Sequence, residues 1–318
     1  MDLTVVVPAF NEAESIPELT EWVDRVCVSS SIDYELIIID DGSSDNTWDV
    51  LKKLSGDNGK IKAIRFRRNY GKAAALQTGF EVSSGEVVIT MDADLQDSPD
   101  EIPELVRMIR QEGYHIVSGW KKKRYDPFIK RTTSKFYNFT ARRFSGIKLH
   151  DFNCGLKAYD GGVVRSIEVY GEMHRYIPML AREAGFRKIG EKVVQHRARK
   201  YGVTKYGLDR FLKGYLDLLS VSFITRFGKS PMHFFGTLGT LMFLAGFVMA
   251  AYLGIRKLIF IHQGLRAPLI TDSPYFYIAL AVMIIGSFLF LTGFLAELVN
   301  RRSPDRNRYL IRDKLNLD

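Results

Sequence analysis

The sequence predicts an α/β protein with a mostly parallel sheet and helices on both faces of the sheet, followed by two membrane-spanning helices. Short apolar runs alternate with helical patterns over about the first 120 residues, and this order is typical of a parallel sheet built from strand and helix units. Two long stretches without charged residues follow near the C-terminus. The 46% hydrophobic content excludes a disordered protein.

Five short apolar runs predict the strands, and the segments between them predict the helices. The strands are expected at residues 3–7, 35–39, 61–66, 87–91 and 115–118. Helical patterns lie near residues 14–28, 46–55, 72–82 and 100–112. Three strands end in polar clusters, and the carboxyl ends of parallel strands meet at one edge of a sheet. We therefore expect the clusters at 8–12, 40–45 and 92–97 to lie together.

The third cluster, in the run VVITMDADLQD at 87–97, has the character of a metal site. Asp92 and Asp94 can reach one ion and leave coordination positions open for phosphate oxygens and water, which is how Mg²⁺ is usually held. The alternative is that these acids cap the next helix, because Asp97, Ser98 and Pro99 are also typical of a helix N-terminus. Asp97 or Ser98 alone would supply that cap, so two further acids favour the metal.

The first two clusters could bind a nucleotide, or each could be a turn with a helix cap. A nucleotide offers a base edge, a ribose diol and a diphosphate. Asp41 or Glu12 can accept hydrogen bonds from the base or ribose while a metal takes the phosphates. The sequence has neither a G-x-x-x-x-G-K-S/T loop nor a G-x-G-x-x-G fingerprint, so we do not expect a glycine loop to cradle the phosphates.

The two uncharged stretches predict membrane spans. Residues 232–255 and 273–296 contain no Asp, Glu, Lys or Arg, and at about 1.5 Å per residue each can cross a hydrocarbon core of about 30 Å. Buried helices of a soluble domain are the alternative. Lys and Arg are more frequent at the outer flanks than between the spans, which predicts that both termini are cytoplasmic.

The net charge of +9 accompanies no nucleic-acid-binding motif. We therefore expect this positive charge to face lipid headgroups, and we expect no nucleic acid as a partner.

Six motifs in order resemble a known family. VVVPAFNE at 5–12, DDGSSDNT at 40–47, RNYGKAAALQTGF at 68–80 and MDADLQDSP at 91–99 together are similar to glycosyltransferase family 2, of the GT-A fold. DFNCGLK at 151–157 and RKYGVTK at 199–205 narrow the resemblance to the polyprenyl-phosphate sugar transferases. That group includes dolichyl-phosphate mannose synthase and the bacterial bactoprenol glucosyltransferases, and the two C-terminal spans match the latter type.

The resemblance implies a role for each matching position. Asp92, Asp94 and Gln96 would hold Mg²⁺ or Mn²⁺ on the donor diphosphate. Arg131, Arg199 and Lys205 would screen the repulsion between the donor and acceptor phosphates, and together with Asp92 and Asp94 they are the expected catalytic residues. A solvated basic loop is the alternative for 199–205. Asp151 would orient the acceptor or act as a base, or it is structural. The nucleotide-sugar pocket would be lined by Pro8, Phe10, Glu12, Ile39, Asp41, Asp92, Ala93 and Lys121.

The resemblance also implies an organisation. Residues 1–206 would form a cytoplasmic GT-A catalytic domain, and 207–230 an amphipathic juxtamembrane helix, because apolar residues recur there at helical spacing. Residues 231–299 would hold the two transmembrane helices, at about 232–255 and 274–298, and 300–318 a basic cytoplasmic tail. The protein would be an integral protein of the bacterial inner membrane and a homo-oligomer, with a tetramer implied by the resemblance.

Two departures from the family favour a lipid-phosphate acceptor. Many family 2 enzymes with sugar acceptors carry an acidic pair where this chain has EMHRY at 172–176, and QHRAR at 195–199 is not the Q-x-x-R-W motif of processive synthases. A phosphate monoester with a second pKa of about 6 is already ionised and needs no base. We therefore predict inverting transfer of a hexose, with UDP-glucose as the favoured donor, to polyprenyl (undecaprenyl) phosphate.

Two other functions remain open. A glycosyltransferase that extends a glycan or makes a glycolipid is the nearest alternative. A non-catalytic membrane scaffold or nucleotide-sugar sensor is the alternative of another class, against which the complete set of Asp92, Asp94 and Gln96 argues.

Overall fold

The structure is a computed structural model that describes residues 1–122, 138, 141–143, 145–171, 173–197, 223, 231–266 and 268–301. Contacts divide the chain into two units, Met1–Ser222 and Phe223–Asp318. The predicted amphipathic helix at 207–230, apart from Phe223, and residues 302–318 of the predicted tail lie outside the described residues.

The first unit is built around one mixed sheet. Among the described residues it has seven strands, in the order β3-β2-β1-β4-β6-β5-β7. β6 runs antiparallel to both of its neighbours, whereas the other pairings are parallel. The predicted α/β class is confirmed. The strands are β1 Leu3–Ala9, β2 Tyr34–Asp40, β3 Ile61–Arg65, β4 Val87–Thr90, β5 Ile116–Trp120, β6 Lys157–Asp160 and β7 Ile189–Val193.

Helices cover both faces of this sheet because the strand side chains alternate. Leu3, Val5 and Val7 of β1 pack in a core cluster with residues of α1 and α4, whereas Val6 packs with residues of α3 on the other face. Short 3₁₀ turns at Pro99–Glu101 and Met173–Arg175 connect elements. The helices are α1 Ile16–Ser29, α2 Thr47–Asp57, α3 Lys72–Glu81, α4 Ile102–Arg110, α5 Gly161–Val164 and α6 Ile177–Glu183.

The second unit is a helical hairpin of α7 (Pro231–His262) and α8 (Pro274–Arg301), with a 3₁₀ turn at Ile270–Asp272 before α8. Both helices are long and apolar enough to cross a membrane. Glycines let their backbones approach closely: a Cβ built on Gly239 would lie 2.5 Å from the carbonyl oxygen of Gly286, and one on Gly286 would lie 2.7 Å from that of Gly239. Small residues at helix contacts are typical of membrane helices.

Candidate active site

The sheet brings the three polar clusters to one edge, as the sequence predicts. Ala9 at the end of β1 lies opposite Asp40 at the end of β2. The amide of Asp41 donates to the carbonyl of Ala9 at 2.8 Å, and the amide of Met91 donates to that of Val6 at 3.2 Å. The segments that follow β1, β2 and β4 therefore start side by side.

Hydrogen bonds link the loop after β1 to the loop after β2. Asn11 has a positive φ of 57°, and its side-chain oxygen accepts a hydrogen bond from the amide of Ser44 at 2.9 Å. Thr47 accepts one from the amide of Glu12 at 2.9 Å. The carboxylate of Glu12 accepts a hydrogen bond from the hydroxyl of Ser15 at 2.8 Å. Asn11 thus links the two loops by hydrogen bonds, and the residue at the N-cap position of α1 is Ser15.

Asp41 holds the loop that leads into α3. Its two carboxylate oxygens accept hydrogen bonds from the amides of Tyr70 and Gly71, at 2.7 and 2.9 Å. Burial raises the pKa of Asp41, and these hydrogen bonds offset part of that rise. Gly42 adopts φ 72° and lies so close to Arg68 that a Cβ would come within 2.4 Å of its backbone carbon. The motif at 68–80 is therefore attached to the loop after β2.

Asp92 forms an ion pair with Lys72, the first residue of α3. Partial burial would raise the pKa of the Asp92 carboxyl, but the ammonium of Lys72, with help from Lys121, holds it below its usual range. The carboxylate also lies against Gly155, where a Cβ would come within 2.4 Å of Oδ2. Lys72 is a site residue that the sequence reasoning did not assign, although it lies in one of the motifs that carried the resemblance.

The turn after Asp92 has a constrained backbone. Leu95 adopts a positive φ of 59°, which is uncommon for a residue with a branched side chain. Asp94 is buried, and its Oδ1 accepts a hydrogen bond from the amide of Gln96 at 3.2 Å. α4 begins only at Ile102, and within the described residues no side chain caps it. The capping alternative for Asp92 and Asp94 therefore has no support in the structure.

Asp97 and Lys121 form a buried ion pair. The Nζ of Lys121 lies 2.6 Å from Oδ1 of Asp97, with side chains 13% and 0% exposed. Burial would lower the pKa of Lys121, and the carboxylate of Asp97 raises it instead. The resemblance implies that Lys121 contacts the donor. The structure pairs Lys121 with Asp97, a partner that the sequence did not indicate. Its contact with the donor stays a prediction.

A second segment runs beside residues 94–97, which follow β4. His196 forms an antiparallel bridge with Asp97, and the amide of Arg197 donates to the carbonyl of Gln96 at 3.0 Å. Lys192 of β7 pairs with Glu101. The motif at 199–205 begins two residues after Arg197. Three predicted site residues, Arg131, Arg199 and Lys205, lie outside the described residues.

The loop before β6 is organised around a buried lysine. Lys157 is 3% exposed, and its ammonium donates to the carbonyls of Phe152, at 3.2 Å, and Cys154. Burial lowers its pKa. Asp151 is also buried, and its Oδ1 accepts a hydrogen bond from the amide of Asn153 at 3.1 Å. That turn supports the structural alternative for Asp151, and its role as a base stays a prediction.

The remaining predicted pocket residues lie at the same sheet edge with different exposures. Pro8 and Phe10 are partly exposed at and just after the end of β1. Ile39 is fully buried in a small cluster with Ile37 and Ala75, and Ala93 is buried in the core between Asp92 and Asp94. Their contact with a nucleotide stays a prediction.

The side chains after β4 have the chemistry that a divalent cation requires. Asp92, Asp94 and Gln96 offer carboxylate and amide oxygens, the ligands that Mg²⁺ and Mn²⁺ prefer. In the parts of the chain that the structure describes, no three His, Cys, Asp or Glu side chains form a group able to hold a metal ion. Two carboxylates and an amide would leave positions for diphosphate oxygens and water, as Mg²⁺ usually requires.

Comparison with known sequences finds relatives along almost the whole chain. Residues 4–167 match the family described as Glycosyl transferase family 2. A dodecaprenyl-phosphate galacturonate synthase of Rhizobium johnstonii is 36% identical over 318 aligned residues, which cover 98% of this chain and 92% of that protein. An undecaprenyl-phosphate 4-deoxy-4-formamido-L-arabinose transferase of Proteus mirabilis is 34% identical, over 97% of this chain and 92% of that protein.

Comparison with solved structures supports the fold. The chain is similar to glucosyl-3-phosphoglycerate synthase from Mycobacterium tuberculosis in complex with UDP, with a TM-score of 0.54 and 22% identity over 70% of this chain and 79% of that one. The same enzyme in complex with Mn²⁺ and UDP-glucose gives a TM-score of 0.53 and 22% identity, over 70% of this chain and 78% of that one. At this identity the likeness concerns the fold alone, which is of the GT-A type.

Proposed function

The chain belongs to glycosyltransferase family 2 and is a glycosyltransferase, and on this premise we propose that it transfers a sugar from a nucleotide diphosphate to polyprenyl phosphate. One observation carries the proposal: two relatives named for dodecaprenyl- or undecaprenyl-phosphate products align with 97–98% of this chain. Those alignments are long enough to include both the carboxylates after β4 and the apolar helices of the hairpin.

The donor sugar is proposed to resemble those of the relatives. Their names specify galacturonate and 4-deoxy-4-formamido-L-arabinose, and the expected UDP-glucose has no support among them. We take a nucleotide-linked hexuronate as the first donor to test, because the relative at 36% identity is a galacturonate synthase. UDP as the nucleotide rests on the family resemblance.

The chemistry that we propose is a single in-line displacement with inversion at the anomeric carbon. The acceptor phosphate is already ionised near neutral pH, so the reaction needs no strong base. The difficulty is the repulsion between that phosphate and the donor diphosphate. Mg²⁺ or Mn²⁺ held by Asp92, Asp94 and Gln96 would neutralise the charge that develops on the leaving nucleotide. Arg131, Arg199 and Lys205 are proposed to supply further positive charge.

The hairpin is proposed to hold the enzyme in the membrane that contains its acceptor. Both helices can span a bilayer, and the positive flanks of the spans support a cytoplasmic position for both termini. The chain would then receive a water-soluble donor and a lipid acceptor on the same side. A homo-oligomer, of the tetrameric kind that the resemblance implies, is part of this proposal.

The experiment that tests the function is a transfer assay on membranes containing the protein. Radiolabelled UDP-galacturonate, UDP-glucose or GDP-mannose is supplied with undecaprenyl phosphate and Mn²⁺, and labelled lipid is extracted into organic solvent. We expect label in the lipid fraction with at least one donor, and a loss of more than about 100-fold in Asp94→Ala or with EDTA. Asp49→Ala, which removes an exposed carboxylate on α2, is the matched control. Label that stays in the aqueous phase with every donor would refute the proposal.

A further inference from the structure

Lys72 has no role in the transfer as proposed, yet its ammonium pairs with Asp92. Asp92 is one of the two carboxylates proposed to bind the metal. The side chains of Lys72 and Asp92 are 31% and 35% exposed, so the pair is accessible to ions from solution. Lys72 thus places a positive charge of the protein on a proposed metal ligand.

The start of α3 is fixed so that Lys72 can reach Asp92. Gly71 precedes it with a positive φ of 94°, a conformation that glycine adopts without strain. The amides of Tyr70 and Gly71 both donate to Asp41. Lys72 therefore extends from a backbone that is anchored on Asp41, one of the residues expected to contact the nucleotide.

The position of Lys72 conflicts with the charge of its own helix. The N-terminus of a helix carries partial positive charge, so a lysine in the first turn is unfavourable. α3 has no acidic residue in its first turn that would compensate. Asp92 supplies the compensating charge from another element. A local conflict of this kind, resolved by a distant partner, is typical of functional positions.

The lysines near Asp92 have separate partners. Lys121 pairs with Asp97, and Lys157 donates to the carbonyls of Phe152 and Cys154. Lys72 contacts Oδ1 of Asp92 itself. Gly155 covers another side of the same carboxylate. A metal ion that approaches Asp92 is therefore repelled by the ammonium of Lys72 and competes with it for Oδ1.

We propose that Lys72 is an internal counter-cation of Asp92, which a divalent metal ion must displace in order to bind. The inference rests on the proposed metal role of Asp92. An ammonium and a divalent cation repel each other and compete for the same carboxylate oxygen. The pair therefore weakens metal binding while the donor is absent. The donor diphosphate brings negative charge that the displaced ammonium can face, so metal binding is favoured when the donor is present.

The test measures Mn²⁺ binding to the full-length protein in detergent, without nucleotide, from the electron paramagnetic resonance signal of free Mn²⁺. Lys72→Met should bind Mn²⁺ about tenfold more tightly than the wild type, because the competing charge is gone. Lys72→Arg keeps the charge and should bind as the wild type does. Lys52→Met, which removes an exposed lysine on α2, is the control, and Lys72→Gln is a second neutral variant.

The assignment is overturned if neither neutral variant binds Mn²⁺ more tightly than the wild type, and this includes undetectable binding in all three proteins. Equal tightening in Lys72→Arg would also overturn it, because charge would then not be the cause. This readout is independent of sugar transfer. Tighter Mn²⁺ binding in Lys72→Met together with no transfer to polyprenyl phosphate would refute the proposed acceptor and leave the counter-cation assignment standing.

Discussion

Gly155 shows how a residue without a side chain can shape a site. Its carbonyl accepts a hydrogen bond from Thr90 at 2.9 Å, and its α-carbon lies under the carboxylate of Asp92. In Gly155→Ala the new Cβ would lie 2.4 Å from Oδ2 of Asp92, so the carboxylate must move. We expect Mn²⁺ affinity and transfer rate to fall about tenfold or more, by analogy with other changes that misplace metal ligands.

The matched control for that variant is Gly59→Ala, because a Cβ there meets none of the described atoms within 4 Å. Titration of Mn²⁺ and the transfer assay on both variants separate a local effect from a general one. Unchanged metal affinity in Gly155→Ala would show that the position of Asp92 does not matter for the metal.

The Asp97–Lys121 pair allows a test of whether Lys121 is structural or binds the donor. Lys121→Met leaves the buried Asp97 without its ion-pair partner, which costs about 3–5 kcal/mol. Asp97→Asn combined with Lys121→Gln removes both charges, so most of the lost stability should return. Thermal unfolding of the purified variants, followed by intrinsic fluorescence, measures this recovery.

The same double variant distinguishes the two roles through the donor. If Lys121 only positions the turn after β4, the double variant should regain a nearly normal KM for the nucleotide sugar. A KM that stays raised in the double variant, at recovered stability, would instead support the phosphate contact that the family resemblance implies.

The sequence identified the acids of the site better than their partners. Asp92 and Asp94 stand out because charge directly follows a buried strand. The partners Lys72 and Lys121 depend on which elements the fold brings beside β4, and nothing in the local sequence encodes that choice. Asp41 illustrates the same point, because its hydrogen bonds to the amides of residues 70 and 71 join two separate motifs.

At the scale of elements, periodicity predicted the first five strands and four helices to within a few residues. β1, for example, was expected at residues 3–7 and spans Leu3–Ala9. β6 and β7 were not predicted. β6 has the sequence KAYD, which begins with a lysine and ends with an acid, so it lacks an apolar run. It is a strand because it fits antiparallel between β4 and β5, a long-range pairing.

The close contact of α7 and α8 should depend on glycine at its centre. Gly239→Leu would force the helices apart, because even a Cβ at that position lies 2.5 Å from the Gly286 carbonyl. We expect this variant to lose about 10 °C or more in apparent Tm in detergent, on the scale of other overpacked contacts. Gly254→Leu, also on α7 but with no described atom within 4 Å of its Cβ, is the control. Equal stability of the two variants would refute the contact.

The orientation of the whole molecule can be tested by labelling with cysteine reagents. Cys27 and Cys154 are both buried, so background labelling should be low. Gln263→Cys lies in the exposed connection between α7 and α8, and Lys53→Cys lies on the surface of α2. In intact cells, a membrane-impermeant maleimide should label the first and reach the second only after lysis. The reverse pattern would contradict a cytoplasmic catalytic domain.

The central claim is that the acceptor is a lipid phosphate, and a comparison of acceptors tests it most directly. The purified enzyme is given one active labelled donor and either undecaprenyl phosphate, undecaprenol or diacylglycerol in equal amounts. The account predicts transfer to undecaprenyl phosphate at least about 100-fold faster than to either alcohol, because only the phosphate can attack without a base. Comparable transfer to undecaprenol or diacylglycerol would contradict it.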